Sequence, residues 1–438
     1  MTRADIVQAA FRAWGRAFYK NTSLSGVAKE LGVSKPALYR HFCGKQALLE
    51  AMYESFFDDY AAFVKATYEQ ASKTTGYKEA MAAIARIMMD FYARNVYAFI
   101  FSLVYVYGDR RMGNTEEQLV KRGVDMSVFY RMEGELKAFP PLVIHGAIAT
   151  LTFSMARFHK LGQPGGTINQ GFPGEPVQAL SPSEAAIEAE ISLVDCIISN
   201  GIGFQKQEIE DLDYGALEQQ VSGTGIHIEE NKLLHSVAEA VAGAGPWDVS
   251  MGMVAHRSGL SKSGLYAHFK NKHDMLAQLF VTEMDRIIDF AEESMKGSTV
   301  AAERLYLAIF SICDYLRSRP DILIALDWLR TRNVSMEQTG QAVISPPPRI
   351  YRIFRDIHFS PELKPRLPDT AEDAVPAWIL FLIVNALMHG GRGAPEHFMN
   401  WTKPPKRQAS REDFGKISNE NFRILYRFIT RGIREFAL

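Results

Sequence analysis

Apolar residues recur every three or four positions along most of the chain, which is the spacing of one face of an amphipathic helix. Near the N-terminus this stripe comprises Ile6, Ala9, Ala10, Ala13, Trp14 and Ala17. In the middle of the chain a similar stripe comprises Leu233, Val237, Ala240, Val241 and Ala244. The two-residue alternation of strands is scarce, so the pattern predicts an all-α protein.

The two stripes open two copies of an internal repeat. Residues 32–49 align without a gap with residues 259–276, 227 positions further on, and share nine identities in 18 positions. Average residue usage predicts about one identity by chance. Residues 198–202 (Ile-Ser-Asn-Gly-Ile) recur as 429–433 (Ile-Thr-Arg-Gly-Ile) at an offset of 231. The two halves therefore share one plan.

Each copy carries the start and stop signals of a short helix. Ser23 and Ser250 stand at N-cap positions, where a serine hydroxyl accepts a hydrogen bond from the first turn. Gly32 and Gly259 follow nine residues later. Because glycine adopts left-handed backbone conformations readily, these two positions predict a tight reversal at the helix end.

A second short helix follows each reversal. Ser34, or Ser261 in the second copy, is expected to cap it, and Pro36 occupies its first turn, where a missing N–H costs little. Two short helices joined by a tight turn, after a longer supporting helix, form a helix-turn-helix. The second short helix would lie in the major groove of DNA.

Residues 22–49 resemble the DNA-binding domain of the TetR (tetracycline repressor) family, whose pattern is similar to A-x-x-x-G-V-S-x-x-x-L-Y-x-H-F-x-x-K-x-x-L-L. The matching residues of the first copy are Ala28, Gly32, Val33, Ser34, Leu38, Tyr39, His41, Phe42, Lys45, Leu48 and Leu49. Those of the second copy are Ala255, Gly259, Leu260, Ser261, Leu265, Tyr266, His268, Phe269, Lys272, Met275 and Leu276.

The resemblance implies two tandem TetR-like units, each a three-helix helix-turn-helix DNA-binding domain followed by a helical regulatory/dimerisation domain. Family members pair through a four-helix bundle of their last two long helices, so here we expect an intramolecular pseudo-dimer. The bundle candidates are residues 141–161, 184–204, 371–388 and 416–436. The expected domains are DNA-binding domain 1 at 1–48, regulatory/ligand-binding domain 1 at 49–205, an acidic, glycine-containing linker at 206–230, DNA-binding domain 2 at 231–275 and regulatory/ligand-binding domain 2 at 276–438.

The residues expected to bind DNA lie on or just after the second short helix of each copy. The resemblance implies phosphate contacts, which set register without reading sequence, from Tyr39, His41, Lys45, Tyr266, His268 and Lys272. The candidates for facing base edges are Lys35, Pro36, Ala37 and Arg40 in the first copy and Lys262, Ser263, Gly264 and Ala267 in the second. Ser34 and Ser261 complete the set. A single Tyr or His at a helix end is more often packed or solvated, so the prediction rests on the whole spacing.

We call residues 1–48 reader 1 and residues 231–275 reader 2, and we call 1–205 and 231–438 units 1 and 2. Residues 1–50 carry eight Lys/Arg and three Asp/Glu, whereas the matched window 228–277 carries five of each. Because each neutralised phosphate adds to affinity, reader 1 is expected to hold DNA more strongly. Reader 2 is then a weaker reader, a reader of a different half-site or a vestige.

The resemblance also implies a pocket for a small effector, which releases DNA when it binds. The candidate lining residues are Phe91, Tyr97, Phe101, Tyr105 and Trp328. Aromatic residues at helical spacing usually form core instead, so both interpretations stay open. A pocket of this composition would favour an apolar or aromatic effector.

Composition narrows the remaining classes. The 438 residues are 47% hydrophobic and carry a net charge of −1, so DNA binding has to rest on a local patch. Three scattered cysteines without a CxxC pair predict neither a disulfide framework nor a metal site, and no cofactor is expected. The longest apolar runs, 97–107 and 377–388, are shorter than the ~18 residues of a membrane span. We expect a cytoplasmic protein.

Three rival functions remain. An enzyme is not expected, since the chain lacks the G-x-S-x-G, Walker and H-E-x-x-H motifs. A nonspecific architectural DNA protein fits a near-neutral chain poorly, because its binding would rest on backbone electrostatics. A protein-interaction module could keep the helix-turn-helix only as scaffold. The family resemblance favours a repressor, although activation stays open.

Overall fold

A computed structural model of the chain describes residues 1–16, 19, 23–71, 77–102, 105, 115–125, 127, 140–159, 182–225, 231–325, 353–354, 363–366, 371–389 and 417–436. Every regular element in those ranges is a helix, which confirms the all-α fold class. The candidate ligand residue Trp328 lies outside them. In the same ranges, none of the helices is long and apolar enough to cross a membrane.

Unit 1 is a run of helices in the predicted order. The helices of reader 1 are α1 (Arg3–Gly15), α2 (Leu24–Leu31) and α3 (Lys35–Tyr39). The helices behind it are α4 (Lys45–Ala71), α5 (Tyr77–Arg94), α6 (Val96–Phe101), α7 (Thr115–Lys121), α8 (Pro141–Phe158) and α9 (Glu184–Asn200). Two short helices, α10 (Lys206–Glu210) and α11 (Tyr214–Thr224), lead to unit 2.

Unit 2 repeats this order. The helices of reader 2 are α12 (Lys232–Asp248), α13 (Met251–Ser258) and α14 (Lys262–Tyr266). Those behind it are α15 (Lys272–Ser294), α16 (Ala301–Ser318), α17 (Ala371–His389) and α18 (Asn419–Arg431). Short 3-10 turns lie at Lys364–Arg366 and Ile433–Phe436.

The predicted start and stop signals of the first short helix are present in both readers. Ser23 accepts a hydrogen bond from the Gly26 N–H at 3.1 Å, and Ser250 accepts one from the Met253 N–H at 3.2 Å. Gly32 and Gly259 end the two helices in the left-handed region, at φ +66° and +69°. Any residue with a Cβ would be strained at these glycines, so the turn depends on them.

The predicted cap of the second short helix forms in only one reader. Ser261 accepts a hydrogen bond from the Gly264 N–H at 3.0 Å, whereas the Ser34 side chain makes no cap hydrogen bond, and that part of the prediction is wrong. Pro36 has no N–H to offer, and the Ala37 N–H already donates to the Ser34 carbonyl at 3.0 Å. The N–H that matches the Gly264 donor of reader 2 is therefore bonded to the Ser34 carbonyl instead of the Ser34 hydroxyl.

The segment predicted as linker is folded over most of its length. Along α11, Leu217 and Val221 are buried. Gln220 Nε2 donates to the carbonyl of Ser294 at 2.7 Å, so α11 is attached to unit 2. The glycines and acidic residues indicated a linker, but the apolar residues Leu217 and Val221 recur at helical spacing and are buried on one side of α11. The domain boundaries themselves stay a prediction.

One side chain of α11 anchors it to two distant helices. Glu218 accepts hydrogen bonds from Tyr306 Oη at 2.7 Å, Arg423 Nε at 2.8 Å and Asn419 Nδ2 at 2.8 Å. Burial alone would raise the pKa of Glu218, but these hydrogen bonds outweigh it and lower that pKa below its ordinary value. The carboxylate is thus held charged between α16 and α18.

The long helices α8, α9, α17 and α18 pack against one another across the two units. Trp378 Nε1 on α17 donates to Thr150 Oγ1 on α8 at 3.0 Å, and the rings of Phe153 and Phe381 lie 5.5 Å apart. Gly146 on α8 leaves the room that the ring of Phe428 on α18 occupies. Long helices of the two units thus pack together; α8, α9 and α18 lie within the predicted ranges, and α17 ends one residue beyond its range. The pseudo-dimer itself stays a prediction.

At one end of this bundle the two backbones cross in contact. Gly201 and Gly432 follow α9 and α18 at φ +61° and +66°. A Cβ on Gly201 would lie 2.6 Å from the Ile429 carbonyl oxygen, and one on Gly432 would lie 2.6 Å from the Asn200 nitrogen. The Ile202 N–H donates to the Ile429 carbonyl at 2.9 Å across the crossing. Only glycine fits at either position.

Candidate nucleic-acid interface

We call α3 and α14 the recognition helices. Buried apolar residues in each helix, and in the turn that follows it, hold it against the rest of the reader. Leu38 and Phe42 in reader 1, with Leu265 and Phe269 in reader 2, are almost completely buried. All four belong to the repeated motif. Their burial leaves the rest of α3 and α14 facing outward.

The residues predicted to bind DNA lie at equivalent places in the two readers. Tyr39 and Tyr266 are exposed to nearly the same extent, 49% and 48%. The other exposed candidates are Ser34, Lys35, Pro36, Arg40, Lys45, Ser261, Lys262, Ser263 and His268. The half-buried candidates are Ala37, His41, Gly264 and Lys272. Both sets are at least partly exposed at the surface, where a DNA backbone could contact them, and their roles stay a prediction.

The turn after the recognition helix is held differently in the two readers. In reader 1, Arg3 Nη1 donates to the His41 carbonyl at 2.5 Å, and its guanidinium lies 4.2 Å from the centre of the Phe42 ring. Arg3 thus connects the start of α1 to the turn that carries His41. Sequence reasoning missed it, because nothing in the spacing places the first basic residue of the chain against a residue 38 positions away.

Reader 2 holds the same turn with an acid instead of a base. Asp274 Oδ2 accepts a hydrogen bond from the Lys270 N–H at 2.8 Å, and Asn271 Oδ1 accepts one from the Asp274 N–H at 2.9 Å. The Lys270 N–H is the main cause of a lowered pKa for Asp274, which keeps it ionised. This negative charge lies two residues from Lys272 and opposes phosphate binding there.

Charge reversal also marks the contact between the first two helices of each reader. In reader 1, Arg12 Nε contacts Glu30 Oε1 at 3.2 Å. At the matching positions of reader 2, Glu239 contacts Arg257 Nη1 at 3.5 Å. The ion pair is retained with its polarity exchanged, so the two readers share a geometry while their surface potentials differ.

The candidate ligand residues divide between a cavity and the core. Phe91 and Tyr97 line a cavity of about 220 Å³ between reader 1 and the helices behind it. Phe101 is fully buried, with its ring 5.2 Å from Phe11 and 5.2 Å from Tyr105, so it forms core. Among the side chains that the structure describes, no group of three or more His, Cys, Asp or Glu could hold a metal ion.

Each reader contains a segment that matches a known protein family. Residues 6–52 and 234–279 each match the family described as "Bacterial regulatory proteins, tetR family". These ranges run from α1 into α4 and from α12 into α15, so they contain both helix-turn-helix segments. The match occurs twice, as the internal repeat predicts, and it indicates a regulatory protein rather than an enzyme.

Two individual proteins are similar to the chain. The Fatty acid metabolism regulator protein of Bacillus subtilis (strain 168) is 28% identical over 108 residues, which are 24% of this chain and 56% of that protein. The chain therefore spans about half the length of this curated relative. The solved structure of the fatty acid degradation regulator FadR from Bacillus halodurans overlaps 40% of this chain and 92% of its own, with a TM-score of 0.28 and 15% identity.

Proposed function

We propose that the chain is a ligand-responsive transcriptional repressor that occupies one operator with both readers, because two of its segments, 6–52 and 234–279, match the tetR family of bacterial regulatory proteins. The observation that carries this proposal is the pair of recognition helices with equally exposed Tyr39 and Tyr266. Phosphate contacts from matching places would set the register of each reader on the duplex.

We propose that the two units form a pseudo-dimer within one chain. The contacts between α8 and α17, and between Gly201 and Gly432, support this proposal, because they join the two units. Sedimentation of free and DNA-bound protein tests this point. One chain per operator is the expected result, and an obligatory dimer of chains with four readers would contradict it.

The operator need not be palindromic, because the two recognition helices differ. Arg40 in reader 1 corresponds to Ala267 in reader 2, and Asp274 adds an acid that reader 1 lacks at the matching Ala47. Identical subunits impose identical half-sites, whereas fused units are free to read different ones. We therefore expect an asymmetric footprint, with the stronger protection under reader 1.

The experiment is a DNase footprint on the DNA upstream of the gene, with Tyr39→Ala and Tyr266→Ala compared side by side. Each variant should lose one half of the footprint or all binding. Val300→Ala serves as the matched control, because it removes an equally exposed apolar side chain outside both readers. If Tyr266→Ala protects the same DNA as the unmodified protein, the two-reader proposal fails.

Gel shifts at two salt concentrations separate the rival functions. Retention of one fragment in excess competitor DNA supports a specific regulator. Equal binding to every sequence would support a nonspecific DNA protein, and no binding would support an interaction module that kept the fold as scaffold. A reporter gene downstream of the protected site then distinguishes repression from activation.

The effector is proposed to be a small apolar or aromatic compound. The aromatic composition of the helices behind reader 1 supports it. The similar Bacillus subtilis protein is named for fatty acid metabolism, which agrees with regulation by an apolar metabolite. Lower DNA affinity in the gel shift on adding the effector is the expected response, and a ligand panel that changes neither DNA affinity nor the melting temperature would count against it.

A further inference from the structure

The junction between each reader and the helices behind it differs sharply between the units. In unit 1 the junction encloses a cavity of about 220 Å³ between α1, α4, α5 and α6. Four aromatic rings, two guanidinium groups and the carboxyl group of Asp59 lie among its eleven lining residues. Burial, together with the neighbouring Asp58, raises the pKa of Asp59 above its ordinary value. The residues that matter here are Phe11, Phe56, Phe91, Tyr97, Arg12 and Arg94.

The corresponding positions of unit 2 carry a cluster of charges. The repeat offset of 227 matches Phe56 to Glu283, and alignment of the ends of α5 and α16 matches Phe91 to Tyr315. Glu283, whose side chain is 1% exposed, accepts hydrogen bonds from Tyr315 Oη at 2.6 Å and Arg286 Nη1 at 2.8 Å. A buried carboxylate that is bound in this way is costly to displace.

A second contact closes the junction of unit 2. His235 Nδ1 on α12 lies 3.4 Å from Oδ2 of Asp321, which follows the end of α16. The residues at the same two places in unit 1 are Gln8 and Tyr97, which line the cavity. One unit therefore has space and aromatic walls at the point where the other has internal ion pairs and hydrogen bonds.

The cavity has the size and chemistry of a site for a small ligand. Its volume exceeds the ~150 Å³ that suffices for a benzene ring. Rings at its walls can stack edge-to-face on an aromatic guest. Arg12 donates to Glu30 through Nε, and its guanidinium has two further nitrogens that can pair with a carboxylate.

We propose that the unit 1 junction binds a small aromatic carboxylate, and that this ligand acts on reader 1 while reader 2 stays held by its charge cluster. The regulatory half of this statement rests on the proposed function. The ligand would lie against Phe11 and Arg12 of α1 and Tyr97 of α6. It would also compete with Glu30 for Arg12, so occupancy changes the contact between α1 and α2.

Calorimetric titration of the full chain with phenylacetate, without DNA, tests the site. We expect one bound ligand per chain. Arg12→Gln should weaken binding at least ~10-fold, because it removes a charge-assisted hydrogen bond. Glu239→Gln is the matched control, since it breaks the equivalent ion pair in reader 2 and should leave the affinity unchanged. The neutral analogue 2-phenylethanol should bind at least ~10-fold more weakly than phenylacetate.

A footprint with saturating phenylacetate tests the regulatory half. Protection under reader 1 should be lost while protection under reader 2 remains. No heat of binding, or equal affinities for Arg12→Gln and Glu239→Gln, would overturn the site. Equal loss of both half-footprints would overturn the unequal regulation. If no DNA is bound at all, the proposed function fails, but the calorimetric result still decides the site.

Discussion

The two readers have the same backbone and different surfaces. The serines and glycines that start and stop their first short helix occupy identical places, and so do the buried Leu38 and Leu265. The residues around them have diverged, from Arg40 to Ala267 and from the Arg12–Glu30 pair to its reversal in Glu239–Arg257. Positions that determine the turn admit few residues, whereas exposed positions tolerate many.

The regulatory regions extend the same contrast to the interior. Phe56 and Glu283 occupy matching places behind the two readers, yet one lines a cavity and the other is the centre of a hydrogen-bonded cluster. A fused pair is free to divide tasks in this way, because neither half has to remain identical to a partner. Four measurements test this contrast between the units.

Gly201→Val and Gly432→Val should both destabilise the protein by at least about 3 kcal/mol, since each forces a Cβ into the opposite backbone at positive φ. Urea unfolding measures the loss. Gly223→Ala is the control, because its Cβ meets nothing within 4 Å and α11 gains a better helix former. A change of less than 1 kcal/mol (about that of the control) in either valine variant would show that the crossing is not tight.

Glu218→Ala should lower the free energy of unfolding by about 2–4 kcal/mol, because it leaves Arg423, Asn419 and the Tyr306 hydroxyl without their carboxylate partner. Since the pKa of Glu218 is lowered on folding, its contribution is complete above the ordinary carboxyl pKa and is lost as pH falls below that. Thermal unfolding between neutral and acidic pH measures both. Glu210→Ala, which breaks the exposed pair with Lys206, should cost under about 1 kcal/mol.

Acid should weaken unit 1 through His145, whose position in unit 2 holds Pro376 at the offset of 231. Burial lowers the pKa of His145 to about 4, opposed by a hydrogen bond with the Asn385 backbone. A neutral buried histidine gives full stability above its unfolded pKa of about 6.5 and loses it as pH falls toward 4, by about 2 kcal/mol. His145→Gln should flatten this part of the pH profile, and an unchanged slope would contradict the assignment.

Arg40→Ala and Ala267→Arg should shift DNA affinity in opposite directions by a few-fold. Arg40 is expected to face base edges, and its guanidinium also adds a positive charge beside the phosphates. Because each neutralised phosphate adds about 0.9 to the slope of log K against log salt, the first variant should lower the slope and the second should raise it. Fluorescence anisotropy at several salt concentrations measures this. If Ala267→Arg leaves the slope unchanged, the surface of reader 2 lies away from the DNA.

The helix-turn-helix of each reader could be predicted from signals that lie close together in the sequence. Contacts between residues far apart in the sequence could not be predicted. Ser250 and Gly259 act within one helical turn of themselves, so their roles could be read from the sequence. Glu218 is held by Arg423, 205 residues away, and no local pattern announces that contact. The missing cap at Ser34 depends on whether the Ala37 N–H donates to the carbonyl or to the hydroxyl of Ser34, and the residue types alone do not decide between them.

The cavity could not have been predicted either, because it depends on how α1 meets α5 and α6. Phe91 and Tyr97 were singled out with Phe101, but packing leaves the first two at a cavity and buries the third. The spacing of aromatic residues along the sequence does not distinguish residues that line a cavity from residues that form the core. Exposure of Tyr39 and Tyr266, by contrast, followed from the motif itself.

The glycine crossing has a consequence for how the protein responds to dilution. Paired regulators held together by non-covalent forces separate into single subunits when their concentration falls, so their DNA occupancy drops faster than their abundance. Here Gly201 and Gly432 meet inside one polypeptide, and their encounter depends on an effective concentration set by the chain. On the proposed model of one chain per operator, operator occupancy far from saturation would scale with the first power of copy number.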